Sequence, residues 1–324
     1  EVDAALGERL TKVIWEGPSE ALTLTENAQP ALMAVSLAVL RVLEAEAGVD
    51  LSREARFVAG HSLGEYSALA AAGVAGDLVT SSDDVPDHST EPSTIDFSFV
   101  LLAQDNAGDL ARAIASIERH VSRPYELVVT ENGTPGVASE ALAAANGETP
   151  AVVVAADHNL GAAAARNAAL RAATGEYVVI LDASIELTGD AAAALKGLLA
   201  DPAVGVGGPF GLHSHDWRRF EEQTSGEVDA MQAYFFAFRR DLLPVVGWLD
   251  EKFRFYRNMD IEYSARFRDA GLRIVALDLP VVRHEHREWA ALAEDERERR
   301  SKKNFYRFHH RWGHRTDLLL HTEH

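Results

Sequence analysis

The longest regular pattern in the chain begins at Asp96, where apolar runs alternate with segments of helical spacing. Phe97–Ala103, Tyr125–Thr130, Ala151–Ala156 and Tyr177–Asp182 are short, apolar and rich in β-branched residues, and they predict strands. Between them, Gly108–Val121, Ser139–Ala145 and Ala162–Ala173 carry apolar residues at helical spacing. Strands alternating with helices in this way predict a mostly parallel sheet covered by helices on both faces. The run Gly175–Ser184, GEYVVILDAS, shows the pattern best: a turn glycine, a continuous apolar strand, then Asp182 and small or polar residues. Ligands of open α/β sheets bind just beyond the carboxyl ends of the strands. Asp182 therefore either holds a ligand or metal, or caps the turn that follows.

The first 75 residues have a different pattern. Ala31–Ala47 predicts a largely buried helix that Pro30 opens and Gly48 stops. Ala55–Ala59 predicts a short strand running into Gly60-His61-Ser62-Leu63-Gly64 and then a small-residue helix, Glu65–Ala72. Strand, G-x-S-x-G and helix are the context of a nucleophile elbow, which exposes the serine hydroxyl at a sharp turn. Residues 76–95 are dominated by Ser, Thr, Asp and Pro without periodicity and predict a mobile linker. The domain reading is thus 1–75, a linker at 76–95, an α/β domain at 96–290, and a C-terminal helix and tail at 291–324. In that last segment Glu294–Lys303 reads as a solvated face of mixed charge. Phe305, Tyr306, Phe308 and Trp312 would pack it back on the core or cover a cleft.

Composition narrows the function. The chain has 324 residues, 47% of them hydrophobic and 25% charged, with a formal net charge of −19. Such an excess of negative charge repels nucleic acid and anionic membrane, so neither is an expected partner. With no cysteine, disulfides and thiolate metal sites are excluded. No apolar run is long enough for a transmembrane segment, and the default location is cytoplasmic.

Two family resemblances follow from the motifs. The runs LTLTENAQPA (Leu22–Ala31) and GHSLGEYSALAAAG (Gly60–Gly73) resemble the malonyl-CoA:acyl-carrier-protein transacylase family. That resemblance implies Ser62 as acyl nucleophile, the Leu63 backbone N–H as half of an oxyanion hole and Gln29 near the acyl pocket. It covers about a quarter of the chain. The N-terminal Gly-Gln-Gly turn of that family is absent, as are its downstream arginine and histidine. A serine without a base is a weak nucleophile.

From Phe97 to His286 the chain resembles glycosyltransferase family 2, which implies a GT-A fold, Rossmann-like and mostly parallel, beside a mainly helical acyltransferase fragment. The motifs occur in order. YELVVTENGT (Tyr125–Thr134) resembles the strand whose acidic end holds the nucleotide, implying Glu131 and Asn132. Asn159-Leu160-Gly161 with Ala165-Arg166-Asn167 resembles the NLG…ARN signature on the diphosphate side. Gly175–Ser184 resembles the D-x-D strand, and Gly207-Gly208-Pro209 with Met231–Arg240 the acceptor-side strands. Gly247–Phe253, GWLDEKF, and Asp260–Gly271, DIEYSARFRDAG, resemble the turn and helix before and around the catalytic base.

This resemblance implies an inverting glycosyltransferase that moves a sugar from a nucleotide-sugar donor to a carbohydrate or other acceptor. Asp260 would take the acceptor proton, and Mg²⁺ or Mn²⁺ would bind Asp182, Ser184 and His284, with His286 behind His284. Glu262 would position the acceptor. Arg254, Tyr256 and Arg257 either contact phosphate or acceptor or form a solvated loop. Three positions depart from the family pattern: Glu131 stands for Asp, Ser184 for the second acid of D-x-D, and Met259 for the Glu before the base. Malonyl or acyl transfer through Ser62, and a catalytically inactive nucleotide-sugar-binding protein, are the alternative readings.

Overall fold

The computed structural model describes residues 9–22, 25–47, 78–93, 95–104, 107–145 and 151–320. Ser62 and Leu63, with the predicted strand and helix around them, lie outside the described residues. The chain divides into two compact units, Glu1–Leu78 and Val79–His324.

The described part of the first unit is helical: α1 (Leu10–Glu16), α2 (Ser19–Leu22) and α3 (Thr25–Ala47). Helix α3 starts at Thr25, five residues before the Pro30 that was expected to open it, and carries Pro30 inside. Leu10 and Ala31 are buried, whereas Leu32, Val35, Val39 and Val42 stand exposed.

The second unit is built on strands β1 (Phe97–Ala103), β2 (Tyr125–Asn132), β3 (Ala151–Ala156), β4 (Tyr177–Leu181), β5 (Ile185–Leu187), β6 (Val204–Gly208) and β7 (Gly211–His213). They continue with β8 (Glu221–Gln223), β9 (Gly226–Val228), β10 (Ala230–Met231), β11 (Phe235–Arg239), β12 (Arg273–Ala276) and β13 (Val281–Arg283). The main sheet has eight strands in the order β3-β2-β1-β4-β11-β6-β12-β9. β3, β2, β1 and β4 pair in parallel, as do β6 and β12; β11 and β9 run against their neighbours. The helices are α4 (Ala107–His120), α5 (Val137–Ala144), α6 (Ala162–Ala172), α7 (Ala192–Leu199), α8 (Leu243–Val246), α9 (Met259–Asp269), α10 (Arg287–Ala291) and α11 (Glu294–Trp312). Among the described residues, no helix is long and apolar enough to cross a membrane.

The central strands show why continuous apolar runs were needed. In β4, Val178 and Ile180 enter one hydrophobic core, while Tyr177, Val179 and Leu181 enter the other. β11 divides likewise, Phe236 and Phe238 against Phe235 and Ala237. Successive side chains of a strand face opposite sides, so a strand between two helical layers must be apolar at every position. On one side α6, α9 and α11 supply Leu170, Phe267, Phe308 and Trp312; on the other α4 and α7 supply Ile114, Ile117, Leu195 and Leu199.

The expected linker is ordered from Val79 to Ser93 and bonded to the second unit. Val79 bridges to Ala156 in parallel, donating its N–H to Ala155 O at 2.9 Å. Asp84 Oδ2 accepts the N–H groups of Thr80 and Ser81, and Arg171 pairs with Asp83. The Arg240 guanidinium donates to the carbonyls of His88 and Glu91. Ser, Thr and Asp can satisfy backbone donors locally without helix or strand periodicity. Composition alone therefore mistook this ordered coil for a linker.

Helix α11 buries no residue over Glu294–Lys303 and packs on the core beyond it, through Phe308 and Trp312 but not the exposed Tyr306. Asn304, Phe308 and Trp312, four residues apart, form a buried stripe. Asn304 Nδ2 donates to Phe255 O at 2.7 Å and Arg257 O at 2.8 Å. Trp312 Nε1 and Arg311 Nη1 donate to Glu262 Oε1, which lies on α9. Glu262 also pairs with Arg266 and is 1% exposed, so it joins two helices and does not face an acceptor.

Candidate functional site

A cavity of about 860 Å³ opens at the carboxyl end of β4. Of the residues that the motifs singled out, Asp182, Ser184, Arg166 and Asn159 line it. Tyr256, His286, Arg254 and Asn304 line it from the loops and α11.

Asp182 sits where β4 ends, because its N–H donates to Tyr234 O at 3.0 Å and holds the strand end against the turn before β11. Its Oδ1 accepts from Ser184 N at 2.9 Å and Ser184 Oγ at 2.6 Å. Its Oδ2 lies 3.3 Å from His286 Nε2 and 3.9 Å from Arg166 Nη2. Burial alone would raise this carboxyl. The hydrogen bond and charge of His286 and the two bonds from Ser184 outweigh burial and lower it to about 2. His286 Nδ1 accepts the Trp289 N–H at 3.3 Å, so in the neutral ring the proton is on Nε2, facing Asp182. Tyr256 stacks on the His286 ring at 4.2 Å between centroids and fixes its plane. Asp182 thus both caps its turn and faces the cavity; the two readings coexist.

His284, expected as a metal ligand, is directed elsewhere. Its Nε2 lies 2.8 Å from Glu186 Oε2, and its N–H donates to Ser184 O. His286 is the histidine brought to Asp182. Among the described residues, no group of three His, Cys, Asp or Glu side chains is placed to hold a metal.

The NLG…ARN residues divide between cavity and scaffold. Asn132 Oδ1 accepts from Leu160 N at 2.8 Å, and Asn132 Nδ2 donates to Asn159 Oδ1 at 3.2 Å. Asn159 Oδ1 also accepts from Gly161 N. Gly161 has φ +95°, and a Cβ there would meet Arg254 Cα at 3.0 Å. Replacing it with alanine is expected to cost about 1–3 kcal/mol in chemical denaturation, from left-handed strain and this contact. Arg166 Nη1 donates to Ala162 O at 3.0 Å and keeps the guanidinium beside Asp182. Asn167 does not line the cavity. It clamps the GWLDEKF turn by exchanging bonds with Leu249 N and O and donating to Glu251 Oε1. Glu131 is 2% exposed and accepts the Ala138 N–H at 2.8 Å; it too is absent from the cavity wall.

Asp260 lies in the first turn of α9, half-buried. Oδ2 accepts the Ala233 N–H at 3.1 Å, and Oδ1 accepts its neighbour Ile261 N–H at 3.0 Å. Burial raises its pKa above the usual carboxyl value; the Ala233 N–H and the Arg257 charge oppose this only partly. Ala233 and Tyr234 are consecutive, so one turn anchors Asp260 by a side-chain bond and Asp182 by a backbone bond. The Tyr234 phenol, raised mainly by burial, is raised further by the charges of Asp182 and Asp260.

Several lining residues were not singled out from the sequence: Gln104 after β1, Asp109 on α4, Lys252, Arg287, and Arg299, Arg300 and Lys303 on α11. Gln104 was findable, since it follows an apolar strand as Asp182 does. The others depend on long-range packing.

Residues 98–272 match the family model for glycosyl transferase family 2, and the chain belongs to that family. Residues 2–80 match the model of the acyl transferase domain. There the chain is 53% identical over 73 residues to malonyl CoA-acyl carrier protein transacylase of Bacillus subtilis (strain 168), covering 22% of each chain. It is 46% identical over 74 residues to the enzyme of that name from Escherichia coli (strain K12), covering 23% of each. The chain thus spans under a quarter of the length of these curated relatives.

Among solved structures, GalNAc-T7 with UDP, GalNAc and Mn²⁺ is similar with a TM-score of 0.55 and 17% identity, over 69% of this chain and 49% of that one. The mannosyltransferase PcManGT from Pyrobaculum calidifontis, in complex with GDP-Man and Mn²⁺, has a TM-score of 0.53 and 18% identity, over 91% and 80%. At such identities the likeness is one of fold, and the fold is the GT-A type expected from the motifs.

Proposed function

We propose that this protein is an inverting, nucleotide-sugar-dependent glycosyltransferase whose donor diphosphate lies at Asp182, Arg166 and His286 and whose base is Asp260. The observation that carries the reading is the turn at Ala233–Tyr234, which anchors a depressed carboxylate and a raised one from adjacent residues. A low-pKa carboxylate stays charged and suits cation or diphosphate chemistry; a raised one suits proton transfer.

Asp260 takes the proton of the acceptor hydroxyl on a carboxylate oxygen. The acceptor oxygen forms its bond to the anomeric carbon as the bond from that carbon to the diphosphate breaks. The bonding pair leaves with the diphosphate, where Arg166 and the Nε2–H of His286 meet the added charge.

Among the described residues at the donor site, Asp182 is the one carboxylate that could ligate a divalent ion, with Ser184 Oγ in place of a second carboxylate; the Nε2–H of His286 makes that histidine a hydrogen-bond donor and not a ligand. Bound there, the ion would neutralise charge on the departing diphosphate. The test is turnover of UDP-, GDP- and dTDP-sugars with and without Mn²⁺. Hydrolysis or transfer from one donor class supports the reading. Nucleotide binding without turnover would leave a binding protein, and malonyl transfer lost in Ser62→Ala would favour the acyltransferase alternative.

A further inference from the structure

The cations around the cavity are unevenly compensated. Where α6 and α10 line it, Arg166 faces Asp182 and Arg287 faces Asp109, a carboxylate that Arg112 shares. Where the 252–254 turn and α11 line it, Lys252, Arg254, Arg299 and Lys303 meet, among the described residues, a single carboxylate, Glu296. Glu296 already pairs with both Arg299 and Arg300. Among the described residues, no carboxylate pairs with Lys252, Arg254 or Lys303. This excess sits in a chain of net charge −19, where scattered surface lysines would be expected to meet acids.

The wall is also built. Asn304 fixes α11 to the 255–257 backbone, Arg307 donates to Lys252 O, and Arg254 Nη2 donates to Asn159 O at 2.7 Å. The Arg300 guanidinium lies over the Phe255 ring at 5.6 Å. A fixed cationic wall focuses anions into a cleft. A donor diphosphate held by Asp182, His286 and Arg166 offsets only part of this excess.

We propose that the wall made by Lys252, Arg254, Arg299 and Lys303 is a second anion site, which receives an acceptor bearing a phosphate group. The proposal rests on the donor-site reading for the acceptor's role; the anion site itself stands on the charge distribution. Phosphate suits it because several N–H donors on rigid elements can share its oxygens.

The test is titration calorimetry of the full chain saturated with UDP or GDP. The probes are glucose 6-phosphate, farnesyl phosphate in neutral detergent micelles, and glucose as the uncharged control. One or both phosphate probes are expected to bind while glucose does not. Preference for farnesyl phosphate assigns a lipid-linked acceptor, and preference for glucose 6-phosphate a soluble one. Arg299→Gln with Lys303→Gln, both at exposed positions, is expected to weaken the phosphate probe at least about tenfold and leave UDP or GDP within about twofold. Equal binding of glucose, or no binding of either phosphate probe, overturns the proposal. Parallel loss of nucleotide and phosphate probe also overturns it, because these cations would then serve the donor. Failure of the wild-type chain to bind any nucleoside diphosphate counts against the donor reading instead; the phosphate probes, titrated then without nucleotide, still decide the anion site.

Discussion

Asp260→Asn is expected to lower kcat by about 10²–10⁴-fold while nucleotide affinity stays within about twofold, because a general base acts in the transition state and does not hold the donor. The substitution is nearly isosteric and keeps an oxygen to accept the Ala233 N–H. A large change in donor affinity would place Asp260 in the donor site instead. The pH profile supplies the sign. Burial raises this carboxyl above its usual value, so the inactive protonated form persists to higher pH than for an exposed Asp. The acid limb of kcat/KM should therefore fall at an apparent pKa above 3.8. Stability runs the other way. Between 3.8 and the raised value the folded state binds more protons than the unfolded chain, so stability declines as pH rises through that window. Asp260→Asn should remove that decline.

Asp182→Asn has the second large expected effect, on both stability and donor binding. The folded carboxyl titrates at about 2, below the usual 3.8. The unfolded chain thus binds more protons between these values, and stability rises with pH across that window. The contribution is fully present above about pH 4 and lost as pH falls to about 2. Its size is about 2 kcal/mol, or roughly 5 °C in Tm for a unit of this length. Asp182→Asn should forfeit that amount at neutral pH, flatten the acid side of the stability profile, and abolish enhancement of donor binding by Mn²⁺. Denaturant titrations from pH 2 to 7 and nucleotide titrations with and without Mn²⁺ measure all three. Unchanged Mn²⁺ dependence would remove Asp182 from the cation site.

The main sheet was legible because burial leaves a simple trace. β4 is apolar at every position, and β1 at every position but Ser98, since both faces meet a helical layer, and Asp182 ends such a run. The strand boundaries of β3 and the helix boundaries of α6 followed from the same pattern to within a residue. What was not legible depends on partners far along the chain. Ser82 is buried against Glu251, and residues 88–91 are gripped by Arg240, so an apparent linker is ordered. His284 and His286 look interchangeable in Val282–His286. The chain leaves β13 at Arg283, and His286 then opens α10, which turns only the latter toward Asp182. Glu131, Asn132 and Asn167 were recognised as motif residues, but motifs do not separate side chains that touch a ligand from those that hold a loop. Their bonds to Ala138, Leu160 and Leu249 show that they act on backbone. The cationic wall was hidden because Glu294–Lys303 has the composition of an exposed helix. Only the stripe Asn304, Phe308 and Trp312 reveals which side of α11 meets the domain.

The displacement at the anomeric carbon is tested most directly by the configuration of the sugar first released. With water as acceptor, early ¹H NMR spectra of donor hydrolysis, taken before mutarotation, report that configuration. A single displacement assisted by Asp260 predicts β-sugar released first from an α-linked donor. Release of the α-anomer first, or no hydrolysis of any UDP-, GDP- or dTDP-sugar by a chain that binds the nucleotide, would contradict the account.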